Sequence, residues 1–155
     1  WKVIHSAIVL ILVVNITIHF AVPWFQAATY QSTFQFYAPL CHQDPARSFH
    51  LADRALPVCV RCNGFWMGGM LGALISGVGY ISRLTPRFST RYLACLCLGV
   101  SISAWLLGKH LAWFDSAAVR LGSGILGGFG LYLVTTTIVH MILSLPKFVR
   151  SNRAK

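Results

Sequence analysis

Glutamate is absent from this chain, and its acids are limited to Asp44, Asp53 and Asp115. Charged residues make up 10% of the sequence, where a soluble domain carries roughly a quarter. So few ions cannot cover a water-facing surface, which excludes a soluble globular fold. No internal repeat and no low-complexity tract is present. The sequence opens on Trp1 rather than Met, so residues ahead of it are expected to be missing or removed, and any targeting signal would be lost from view with them.

What the chain has is apolar length, with 56% of its residues hydrophobic. Four stretches approach the ~20 residues that a bilayer-spanning helix needs. They run over about 3–24, 64–81, 92–114 and 120–145, the last ending before Pro146. The first is too long for a signal-peptide core and lacks a small-residue cleavage site. The expected fold is therefore an all-α integral membrane protein of four transmembrane helices, a single membrane domain over 1–155.

The net charge of +10 comes from 13 Lys and Arg. These are dispersed and form no dense run, so nucleic acid is not the expected partner. In a membrane protein such an excess belongs to the cytoplasmic flanks. Lys2, Arg83, Arg87, Arg91, Lys147, Arg150, Arg153 and Lys155 fall on one side, and Arg47, Arg54, Arg61, Lys109 and Arg120 on the other. The larger set is assigned to the cytoplasm. Both termini then lie inside, in the cytoplasmic (inner) membrane, with the segment 25–62 and the short loop around Asp115 outside. Trp1, Trp24, Trp113 and Tyr92 stand where interfacial aromatic anchors are expected.

Gly64, Gly68 and Gly72 recur every fourth residue, as do Gly124 and Gly128. That spacing lines small residues along one helix face and lets backbones approach closely. The sequence leaves open whether these faces serve internal packing or another membrane subunit.

The chemistry sits in the first external segment, with Cys41, His42, His50, Cys59 and Cys62. A C-x-x-C pair brings two thiolates from one tight turn to the same ion, and Cys41 supplies a third. Zinc accepts such a Cys/His set in a tetrahedral site, with sulfur at about 2.3 Å. His42 is one candidate for the fourth ligand and His50 its rival, because adjacent residues reach one ion less easily. Arg61 and Asp44 are expected in the surroundings. The positive end of the second helix, together with Arg61, is expected to lower the thiol pKa values. A structural disulfide competes with the metal, though three cysteines would leave one unpaired. Cys95 and Cys97 are expected to be small buried apolar residues of the third helix.

Cys41-His42-Gln43, Pro45, Arg47-Ser48-Phe49, Leu56-Pro57, Cys59, Arg61-Cys62 and Gly64 together carry a resemblance. They are similar to the pattern C-H-Q-x-P-x-R-S-F followed by L-P-x-C-x-R-C-x-G of a prokaryotic membrane-protein family, domain of unknown function 2085. The resemblance implies a shared Cys-His and C-x-R-C site without implying a reaction. The family's Asn-x-x-Arg entering its last helix is met here by Arg120 and Gly124, with Ala117 in place of the Asn.

Three functions compete at this stage. The first is a non-catalytic zinc module in an accessory or subunit of a larger membrane complex, the ion fixing the external segment to the bundle mouth. The second is a thiol–quinone oxidoreductase using Cys59 and Cys62. Against it, the second external loop from Lys109 to Ser116 contains no cysteine. The third is haem or chlorophyll-type pigment binding. His5 and His19 fall within about 40° of one helix face and about 21 Å apart along it, with His140 and His110 expected at matching depths. Intramembrane histidines invite a functional reading. Asn15 is expected in an interhelical hydrogen bond.

Overall fold

A computed structural model describes residues 2–77, 87–111 and 115–153. Helix α1 (Lys2–Ala21) is a Val/Ile/Leu-rich run without glycine or proline, and it ends where Pro23 enters a single 3-10 turn, Val22–Trp24. Helix α2 (Ala27–Tyr37) follows. A two-stranded antiparallel hairpin, β1 (Ser48–Leu51) and β2 (Arg54–Cys59), runs directly into α3 (Val60–Gly77). Helices α4 (Arg87–His110) and α5 (Ala117–Arg153) complete the described chain. Among the described residues, three helical stretches are long and apolar enough to cross a membrane: Val3–Trp24, Thr90–His110 and Ala117–Val139. Outward-facing Leu10, Ile11, Leu96, Ile102, Leu131 and Ile138 are exposed, as side chains that meet lipid should be.

The bundle is organised around α3 and α5, which run parallel and nearly in backbone contact. A Cβ on Gly64 would collide with the Leu121 carbonyl, and one on Gly68 with the Ile125 carbonyl. Reciprocally, Gly124 abuts the Arg61 carbonyl and Gly128 the Phe65 carbonyl. Both glycine stripes are therefore consumed within the chain, facing each other. Lower down, Gly72 receives the Tyr132 ring. Helix α1 packs antiparallel on the other side of α3, with Leu12, Ala73 and Tyr132 in one buried cluster. Helix α4 packs on α5, where Gly130 meets Leu98, Cys97 and Ala94.

Several expectations change. The segment 25–62 is structured by α2 and the hairpin, where a loop was expected. α2 escapes sequence reading because its Thr, Gln and Ser residues give no clean amphipathic period. The hairpin closes on Ala52 (φ 50°) and Asp53 (φ 59°), a two-residue turn with both central residues left-handed, which Ala-Asp advertises poorly. Helix α3 starts at Val60 instead of 64, and α4 at Arg87 instead of 92. Residues 78–81 and 112–114, the expected ends of the second and third spans, lie outside the described residues, as do Trp1, Arg83 and Lys155. Helix α5 begins at Ala117 and continues through Pro146 to Arg153. Proline removes one backbone donor from a helix, and a strongly helical flank can carry the helix past it. Cys97 is buried but Cys95 is exposed, since residues two apart on a helix point to nearly opposite sides.

The glycine contacts predict a sharp contrast. Gly68→Ala or Gly128→Ala should destabilise the bundle by at least about 2 kcal/mol through overpacking. Gly99 and Gly122, which have open space at the Cβ position, should accept Ala within about 1 kcal/mol. Thermal unfolding in detergent checks this; equal effects at the four positions would contradict the α3–α5 contact.

Candidate metal centre

Cys41, Cys59 and Cys62 meet at the N-terminal end of α3. Cys41 follows α2, and its N–H bonds the Tyr37 carbonyl at 2.9 Å. Cys59 ends β2, and Cys62 is the third residue of α3. The strand-to-helix junction thus falls inside the C-x-x-C motif and turns both sulfurs to one side. All three Sγ atoms lie within 4.8 Å of one another, with no disulfide among them. Tyr37, Cys41 and Val58 are buried together, with Ile18, Cys59 and Cys62 against them.

Backbone amides converge on these sulfurs. The Cys59 N–H donates to Cys41 Sγ at 3.2 Å, and the Gln43 N–H also favours a Cys41 thiolate. The Cys62 and Arg61 N–H groups do the same for Cys59. Such donors stabilise negative sulfur. Within the cluster, Cys59 is the acidic thiol: hydrogen bonds from the Cys41 and then the Cys62 thiol hold it well below the usual range. Cys41 is raised, mainly by its interaction with Cys59.

Other residues hold the loop in this shape. Gln43 adopts φ 52°, and its Nε2 donates to the Phe34 carbonyl at 2.6 Å and the Pro57 carbonyl at 3.0 Å. It therefore ties the end of α2 to β2 beside the sulfurs, a role that spacing could not reveal. Pro57, wholly buried and lacking an N–H, lies where the β1–β2 register shifts, as bulges accommodate proline. Arg54 donates to the Phe25 carbonyl at 2.8 Å and stacks over Tyr30 at 5.4 Å, while Tyr30 donates to the Ala55 carbonyl at 2.9 Å. These contacts pin the hairpin to the start of α2.

The histidines are placed elsewhere. His42 and His50 are exposed and outside the sulfur group. His5 Nδ1 lies 3.1 Å from the Tyr132 hydroxyl, and His110 is exposed. His140 is in the α5 backbone, eight residues beyond Tyr132, so it lies about 12 Å deeper along that helix than the level of His5. His19 is fully buried, edge-on to Tyr37 at 4.7 Å and Trp66 at 6.0 Å. Asn15 accepts from the Tyr37 hydroxyl at 2.9 Å, an interhelical bond joining α1 to α2.

Beside the sulfurs lies an ionic cluster. Asp44 caps the turn before β1, accepting from the Ala46 N–H at 3.0 Å, and pairs with Arg47 at 3.2 Å. Asp115 receives Arg120 in a two-pronged ion pair, with Nε to Oδ1 at 2.7 Å and Nη2 to Oδ2. Arg47 Nη2 approaches the same carboxylate at 3.9 Å. The Arg120 hydrogen bond, ahead of any other influence, holds Asp115 below its ordinary value.

The chain belongs to the DUF2085 family of predicted membrane proteins. The family model matches residues 41–134, which begins at Cys41 and ends within α5. Among curated relatives, an uncharacterised protein of Methanothermobacter thermautotrophicus is 29% identical over 107 residues, covering 67% of this chain and 91% of that protein. An uncharacterised protein of Methanocaldococcus jannaschii is 34% identical over 111 residues, covering 69% of this chain and 64% of its own length. No solved structure matches the chain. The DUF2085 match thus contains all three cysteines and the ionic cluster, while α1 and α2 lie ahead of it.

Two outcomes follow. Gln43→Ala removes both carbonyl contacts from the loop and should lower stability by about 1–3 kcal/mol, measured by thermal unfolding. Asp115 has a lowered folded-state pKa, so the stability it contributes is complete above the ordinary value of 3.8 and is lost as pH falls through the folded value. Asp115→Asn should therefore flatten stability against pH below that point while leaving the neutral-to-alkaline side parallel to the parent.

Proposed function

We propose that Cys41, Cys59 and Cys62 hold a zinc ion at the outer mouth of a four-span bundle, and that the protein is a non-catalytic accessory or subunit of a larger membrane complex. The observation that carries this reading is the meeting of three sulfurs within 4.8 Å under backbone N–H donors. That donor set suits a divalent thiophilic ion: a disulfide uses two sulfurs and no amide donors, whereas a thiolate site needs both. Bound zinc would supply Lewis acidity and folding free energy; the chain's own residues fix the sulfurs through the α3 first turn, Gln43 and the buried Tyr37–Val58 cluster.

In this reading α3 is the fourth span. Its 18 described residues rise about 27 Å, close to the hydrocarbon thickness. The up-and-down order of α1, α3, α4 and α5 then puts both termini in the cytoplasm, with the cysteines and the hairpin on the extracytoplasmic side. That orientation matches the crowding of basic residues at the opposite end. The lipid bilayer is the surrounding partner. Because the glycine stripes are spent on the α3–α5 contact, partner subunits would dock on other, outward faces.

Elemental analysis of the purified chain should find about one zinc per molecule, and Cys59→Ser or Cys62→Ser should remove most of it. Chelation should lower the melting temperature of the parent and leave that of Cys59→Ser unmoved. A parent free of metal, with its loop thiols oxidised in pairs, would refute the zinc reading.

A further inference from the structure

We propose that Arg47, Arg61 and Arg120 form a binding site for a phosphate-class oxyanion beside the cysteine cluster, with Arg61 as its principal donor. The three arginines come from the turn before β1, the first turn of α3 and the first turn of α5. Chain separation brings them together only through the fold. Three guanidinium groups face two carboxylates, Asp44 and Asp115, so one guanidinium is left without a carboxylate of its own.

That guanidinium is Arg61. Arg120 is occupied by its two-pronged pair with Asp115, and Arg47 is engaged with Asp44. Arg61 has no hydrogen bond or ion pair among the described residues, and its Nε is shielded from solvent without a partner. Its guanidinium nevertheless reaches the same region: a Cβ on Gly108 would stand 3.3 Å from Asp115 Oδ1 and 3.7 Å from Arg61 Nη2, and the Arg61 charge acts on Asp115. A partly buried guanidinium left unpaired is costly, and its planar fork matches an oxyanion. The glycine at 108 keeps that space open.

Two further features favour an anion of this class. The parallel α3 and α5 begin side by side, with Gly124 against the Arg61 carbonyl, so two helix N-termini present their positive ends to one place. The cluster also opens to solvent through Arg47, whose side chain is 54% exposed. A phosphate group accepts hydrogen bonds on several oxygens at once, as converging guanidinium groups require. The proposal goes beyond the zinc reading and stands without it. The group could arrive as free phosphate or as an anionic lipid headgroup, and the same chemistry recognises both.

The test uses the full chain in maltoside micelles, which contain no phosphate. Inorganic phosphate is titrated against chloride at matched ionic strength, and phosphatidylglycerol against diacylglycerol, with the melting temperature as readout. A saturable rise with phosphate, or with phosphatidylglycerol alone, supports the site and tells which source supplies the anion. Arg61→Gln, which keeps the backbone N–H to Cys59, should weaken that response tenfold or more, and Arg61→Lys should weaken it too. A parental gel-filtration profile and far-UV circular dichroism spectrum report that each variant is folded. If Arg61→Gln fails to fold, Arg47→Gln serves in its place and should also weaken the response. No rise above chloride from either ligand, or a parental response in every folded variant, overturns the proposal while leaving the zinc result untouched.

Discussion

The close approach of α3 and α5 is the constraint on which the rest depends. Glycine backbones at 64, 68, 124 and 128 lie against facing carbonyls, a spacing that side chains of any size would prevent. Within lipid, helices gain nothing from hiding apolar surface from one another, so van der Waals contact of this kind has to supply the association. Because the two helices are parallel, their first turns are brought level at one end. The junction of β2 with α3 and the start of α5 therefore share a single mouth.

Everything chemically distinctive is gathered at that mouth. Cys62 is fixed by α3, Cys59 by the strand that feeds it, and Cys41 by the end of α2. The hairpin and α2 hold each other through Arg54, Tyr30 and Gln43. Arg61 lies between the two centres, its main chain serving the Cys59 sulfur and its side chain reaching toward Asp115. One residue thus lies beside both the sulfur cluster and the arginine cluster.

Legibility in the sequence followed the range of the interaction. The apolar runs announced their helices, because hydrophobic length is a property of consecutive residues. C-x-x-C announced a paired-thiol turn for the same reason, and the glycine spacing announced a face for close packing. Helix α2 and the hairpin were missed, since an Ala-Thr-Tyr-Gln run and an Ala-Asp turn carry weak local signals. His42 and His50 are candidate ligands by residue type, yet both are exposed and outside the sulfur cluster, since residue type alone does not say which way a side chain turns. Cys95 looked buried by composition, but helical geometry turns it away from its neighbour Cys97.

The sequence by itself determined that this chain is a membrane protein of the DUF2085 type, with a three-cysteine segment ahead of its glycine-bearing helices. These follow from composition and short spacings, which need no knowledge of the fold. Only the tertiary structure decided what the glycines face, that the three sulfurs share one side of a strand–helix junction, and that Arg47, Arg61 and Arg120 converge on Asp115. Residues from 44 to 120 meet there because two parallel helices start at the same level. No local pattern encodes such a meeting, since it depends on where distant backbones come to rest against each other.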